Sequence, residues 1–134
     1  MNLDYLNSLP EEKNKFKAEL KDGEKVVFIA KGVIFATDTG RAIGWDVKVT
    51  MTNKRIIADN GKGVWTIDIA GDVAGCRVVD RGKGLRKEHF VEVSLKAPFV
   101  FMNGNEQITT GAYMFVFKKK DEPRFMEIMG KVLA

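Results

Sequence analysis

The chain has 134 residues, 45% of them hydrophobic and 30% charged, with a net charge of +4. That is one domain with enough apolar surface for a packed core; it excludes a disordered chain, and no apolar run approaches the ~18 residues of a membrane-spanning helix. The mild positive charge tolerates a polyanionic partner without demanding one, and the lone cysteine, Cys76, excludes an internal disulfide and implies reducing, cytoplasmic surroundings.

The N-terminus has neither a basic stretch nor an apolar one after it, so no secretory leader is expected. Ser8 stands three residues before Glu11 in a capping-box spacing, with Pro10 in the first turn. This predicts a helix running to about Leu20, with Leu9, Phe16 and Leu20 as a thin apolar stripe and Gly23 as its stop. Strand signals follow. Residues 25–36 are rich in Val, Ile and Phe, and 37–40 read as a turn. Trp45, Val47, Val49 and Met51 alternate with polar residues, which predicts a strand with one wet face. Residues 55–59 form the next strand, and Asn60-Gly61 is a hairpin turn. Further strands are expected at 65–69, 74–80 and 91–102, the last bent by Pro98, which cannot donate to a ladder. The seventh is expected at 112–117 after the Asn103-Gly104 turn. Asp121 and Pro123 then open a helix whose Phe125, Ile128, Met129 and Val132 share one face.

Seven strands, a short helix in front and an amphipathic helix behind resemble the pleckstrin-homology-like barrel, and in particular its GRAM and bacterial branches. The residues that carry the resemblance are Gly23-Glu24-Lys25-Val26, the stretch Val49-Thr50-Met51-Thr52-Asn53-Lys54-Arg55-Ile56-Ile57, and Trp65-Thr66-Ile67-Asp68-Ile69. Phe125 stands in the last helix, which has no tryptophan, and this favours the GRAM or bacterial branch. The resemblance implies a mainly β fold, a seven-stranded barrel or sandwich plugged by the C-terminal helix. Residues 1–22 form a helical extension and 23–134 the domain, one structural unit. It also implies a binding or scaffold module rather than an enzyme, with no cofactor.

The residues offer no catalytic set. His89 is the only histidine, Ser8 and Ser94 are the only serines, and no four ligands stand at metal spacing. Gly61-Lys62-Gly63 lacks the full phosphate-loop spacing and reads as a turn. The loop 81–87 carries Arg81, Lys83, Arg86 and Lys87 with flexible glycines and no acid, which makes it the candidate anion or membrane-surface site. The resemblance implies a check on lipids. Phosphoinositide-binding members use the loops after strands one, three and six; here those loops offer only Arg41 and Lys62 against Asp38 and Glu106. Phosphoinositide binding of the usual kind is therefore not expected, nor is nucleic-acid binding, because the aromatics fall mostly at core-facing positions. Residues 99–102 and 113–117 are apolar at successive positions, hence on both faces of a strand. Phe99, Phe101, Met114 and Val116 are the candidate interface of a homo-oligomer, unless the N-terminal helix covers them; a protein partner is the other expected class.

Overall fold

A computed structural model describes residues 1–82 and 88–134. Its elements are α1 (Leu3–Ser8), β1 (Val26–Thr37), β2 (Ala42–Thr52), β3 (Arg55–Asp59), β4 (Val64–Asp68), α2 (Ile69–Asp72), β5 (Val73–Arg81), β6 (Glu88–Asn103), β7 (Glu106–Val116) and α3 (Glu122–Leu133). The seven strands form one antiparallel sheet in the order β4-β3-β2-β1-β7-β6-β5. No helix of the described residues is long and apolar enough to cross a membrane.

The sheet coils at β1. This strand pairs with β2 along its length but with β7 only through Ile34–Thr37. The bend lies at Gly32, whose φ is +65° and where the register with β2 shifts between Ala30 and Val33. The dihedral selects glycine there, since a Cβ would meet only the flexible end of the Lys118 side chain, which can shift. Pro98 lies where the β6–β7 register breaks, between Ser94 and Phe99, as its missing N–H requires.

Helix α3 closes one end of the coiled sheet. Phe125, Ile128, Met129 and Val132 are sealed from solvent in the main core. Each contributes ~1.5–3 kcal/mol before the entropy of ordering is subtracted. Pro123 lies in the first turn as expected, but Asp121 has helical dihedrals and makes no side-chain cap; only its carbonyl joins, accepting from Phe125 N–H at 3.2 Å. Aromatic rings run through the core from this end to the other. Phe125 contacts Phe28, Phe115 and Phe117, and Phe115 stacks on Phe35 with centroids 5.0 Å apart.

The N-terminal helix is not where the capping-box spacing predicts. It spans Leu3–Ser8, with Asn2 Oδ1 accepting from Tyr5 N–H and Leu6 fully buried. Ser8 is its last residue and donates its hydroxyl to the Tyr5 carbonyl. Pro10 stops the helix, because a residue before proline is driven out of the α region and Leu9 is extended. Residues 9–25 contain no helix. Their backbone is satisfied partly by local turns, in which the Asn14 side chain bonds both backbone groups of Ala18, and partly by the body of the fold: Glu12 N–H donates to the Val26 carbonyl, Arg55 Nη2 to the Glu19 carbonyl and Lys54 Nζ to the Asp22 carbonyl. An apolar stripe as thin as Leu9, Phe16 and Leu20 could not outweigh those bonds. Two smaller differences follow the same logic of context. The expected break at Gly71-Asp72 is the short helix α2, capped by Asp68 Oδ1 on Gly71 N–H. The last strand starts at Glu106 rather than Ala112, because Glu106–Thr110 pairs with Phe99–Asn103 in a long hairpin.

Candidate binding surface at the open end of the barrel

Three turns meet at the end opposite α3: those joining β1 to β2, β3 to β4 and β6 to β7. Each is built locally. Asn60 Oδ1 accepts the N–H groups of Lys62 and Gly63, and Gly61 takes φ +87°, so the Gly-Lys-Gly stretch is a hairpin turn. The β1–β2 turn is pinned by Asp38, whose N–H donates to Thr110 Oγ1 and whose Oδ2 accepts from Gly111 N–H. Between the three turns lies a cleft of about 340 Å³, lined by Arg41, Ile43, Lys62, Trp65, Met102 and Ile108.

The floor of this end is a closed circuit of aromatic rings. Phe35 meets Trp65, Trp65 meets Phe101, Phe101 meets Phe99, Phe99 meets Tyr113, and Tyr113 returns to Phe35, with centroids 4.9 to 6.2 Å apart. Phe99 and Phe101 thus have packing partners inside the chain, yet Phe99 keeps 44% of its surface exposed, and Val100 and Met102 keep 51% and 61%. Burial pushes the Tyr113 hydroxyl pKa well above the ordinary tyrosine range, so it stays protonated.

Charge at the cleft is largely cancelled. Arg41 Nη1 lies 2.7 Å from Glu106 Oε1 across the turn tips, and the pair raises the Arg41 pKa and lowers that of Glu106. Both side chains are exposed, so the pair orients the tips more than it stabilises them. Lys62 is the other cation of the cleft.

The remaining candidate residues divide. Arg81 Nη2 donates to the Asp38 carbonyl at 2.6 Å, so its guanidinium braces the β1–β2 turn; Lys83, Arg86 and Lys87 lie outside the described residues. Met114 does not face outward: it is fully buried with Ala36 and Phe90 in a second, smaller cluster on the other face of the sheet, and Val116 packs against that cluster, half-buried. Those short-range apolar neighbours exist only once β1, β6 and β7 lie side by side, which the alternation within one strand cannot reveal. Nor does the N-terminal segment cover the hairpin; residues 16–21 lie over the outer face of β2, β3 and β4.

His89 is exposed but engaged. Its Nδ1 lies 2.9 Å from Asp80 Oδ1 and its Nε2 lies 2.9 Å from Glu122 Oε1, which ties β5 and β6 to the first turn of α3. Hydrogen bonds to Glu122 and then Asp80 raise its pKa. Cys76 is half-buried against Met126, and burial pushes its thiol up to about 12, so it is no nucleophile at neutral pH. Among the described residues no cluster of three His, Cys, Asp or Glu could hold a metal ion.

No family model and no curated protein matches the sequence. Among solved structures the chain is similar to the Vps36 N-terminal PH domain, with a TM-score of 0.62 over 93% of this chain and 90% of that one, at 18% identity. At that identity the likeness speaks for the fold, which is pleckstrin-homology-like.

Proposed function

We propose, from the premise of a pleckstrin-homology-like fold, that the chain is a non-enzymatic binding and scaffold module that associates with a second copy of itself through the β6–β7 hairpin. The fold is one used for binding protein or lipid. The observation that carries the reading is the hairpin tip, where Phe99, Val100 and Met102 are 44%, 51% and 61% exposed within four residues; the other exposed large hydrophobics among the described residues, Trp45 and Val64 the foremost, lie on other strands or at the N-terminus. Exposed apolar residues gathered in this way mark interaction sites. Charge favours a second copy as the occupant. From Ala97 to Phe117 the only charged residue is Glu106, and Glu106 is already paired with Arg41. Two chains of net charge +4 repel one another in general, but two such strips bring no like charges together. The GRAM-like branch remains our reading of the 49–57 stretch and of Phe125.

Light scattering after size exclusion tests the proposal. At tens of micromolar we expect a mass above that of one 15.0 kDa chain, moving to one chain with Val100→Lys. A strict monomer under those conditions overturns self-association.

A further inference from the structure

A second cavity lies away from the hairpin. The outer face of β2, β3 and β4 and the strapped segment 16–21 enclose a groove of about 500 Å³. That is within the range of about 300–1,000 Å³ typical of small-molecule sites. Its floor is Ile57, which stands opposite Thr50 on β2 and Thr66 on β4. Phe16 and Leu20 form one apolar wall, and Val64, 59% exposed, forms the far rim.

The charges around this apolar trough are uneven. Lys17, Lys21 and Lys48 line it together with Arg55, against Glu19 and Asp59. Arg55 is held by Glu24, and one oxygen of Asp59 accepts from Gly61 N–H. With Arg55 paired, three lysines face two carboxylates, and the rim keeps a positive excess although Asp59 stands opposite Lys48 in the β2–β3 register. Lys48 matters most for ligand class: its ammonium stands 5.6 Å from the centre of the Phe16 ring, so a cation sits at the edge of the apolar wall. We infer that this groove binds a fatty acid, with the tail along Phe16, Leu20, Ile57 and Val64 and the carboxylate at Lys48. A small inorganic anion would leave the apolar floor unused. A nucleic-acid strand needs a series of stacking rings, and the groove lining offers one, Phe16. The groove uses different strands from the β6–β7 hairpin, so the inference does not rest on self-association.

Calorimetric titration of dodecanoate into the full chain, below its aggregation concentration, tests it. We expect saturable one-site binding. Lys48→Gln and Val64→Gln, both at exposed positions and neither placing a like charge opposite Asp59, each weaken it about tenfold without changing the melting temperature. Dodecyltrimethylammonium, with the same tail and the opposite head, binds at least about tenfold more weakly than dodecanoate. Binding also slows tryptic cleavage after Lys17 and Lys21. Three results overturn the inference: equal affinity for the two amphiphiles, no saturation by about 1 mM, or dodecanoate binding that ignores both groove variants.

Discussion

Glu24 Oε2 lies 2.8 Å from Arg55 Nε, and the Glu24 side chain is sealed from solvent while Arg55 shows only 16% of its own. The same carboxylate accepts from Thr52 Oγ1 at 2.6 Å and from Lys21 N–H at 2.8 Å. Next to it, Asn53 Oδ1 accepts from Lys25 N–H and its Nδ2 donates to the Gly23 carbonyl. The Thr-Asn-Lys-Arg stretch that carries the family resemblance is therefore a clasp. It fastens the segment ahead of β1 to the β2–β3 turn, and its role is structural.

The clasp has a pH signature. Burial alone would raise the Glu24 pKa, but hydrogen bonds from Arg55, Thr52 and the Lys21 backbone outweigh burial and bring it from 4.5 to about 2. A carboxylate depressed on folding contributes stability in full above its unfolded value, and loses it as the pH falls towards the folded one. The interval from 4.5 to about 2 corresponds to about 3 kcal/mol. Glu24→Gln should lower stability by about 2–3 kcal/mol at pH 7 and flatten the acid limb between pH 4.5 and 2, as read by denaturant melts across pH. An acid limb identical in both proteins would remove Glu24 from this role.

His89 works with the opposite sign. Its pKa is raised on folding by Glu122 and Asp80. A group raised in this way stabilises below its unfolded pKa, and the gain is lost as the pH rises through the folded value. The protection of amides in the first turn of α3, taken as exchange relative to the intrinsic rate at each pH, should therefore fall on passing from mildly acidic to alkaline pH. His89→Gln should abolish that dependence. An NMR titration that put the His89 midpoint at or below the free-histidine value would contradict the bridge.

Met129 tests the plug. It is fully buried, and Met129→Asp places a carboxylate among Phe125, Ile128 and Val132 with no partner provided. The expected loss is about 3–5 kcal/mol, seen as a large drop in melting temperature. A melt unchanged by this variant would mean that α3 does not seat where described.

The hairpin prediction separates association from folding. Val100 is 51% exposed, so Val100→Lys should leave the melting temperature of the single chain within the ~0.5 kcal/mol scatter of surface variants. It should raise the dissociation constant of the pair at least about tenfold, measured by sedimentation across a concentration series. Equal dissociation constants would move the interface elsewhere.

Much of the fold is legible locally. Strands β1 to β6 and helix α3 follow from hydrophobic period, turn residues and proline placement, because each of these acts within a few neighbours along the chain. The strand at residues 55–59 and the Asn60-Gly61 turn fall where the short apolar run and the dipeptide put them. The N-terminal helix fails for two reasons: Asn14 closes a local loop on both backbone groups of Ala18, and Glu12, Glu19, Asp22 and Gly23 are claimed by Val26 and by residues 53–55, which are adjacent only in the fold.

The candidate surface divides along that line. The run from Phe99 to Met102 announced an apolar hairpin on its own, since consecutive apolar residues on a strand must use both faces. Which side chains reach solvent was decided by tertiary partners. Trp65 and Tyr113 draw Phe101 and part of Phe99 inward, Ala36 and Phe90 enclose Met114, and only Val100, Met102 and the rest of Phe99 stay outside. Composition alone sets how much apolar surface the last two strands carry. Only the coiled sheet, by bringing β1, β4 and β6 together, decided which part of it remains exposed, because burial depends on neighbours distant along the chain.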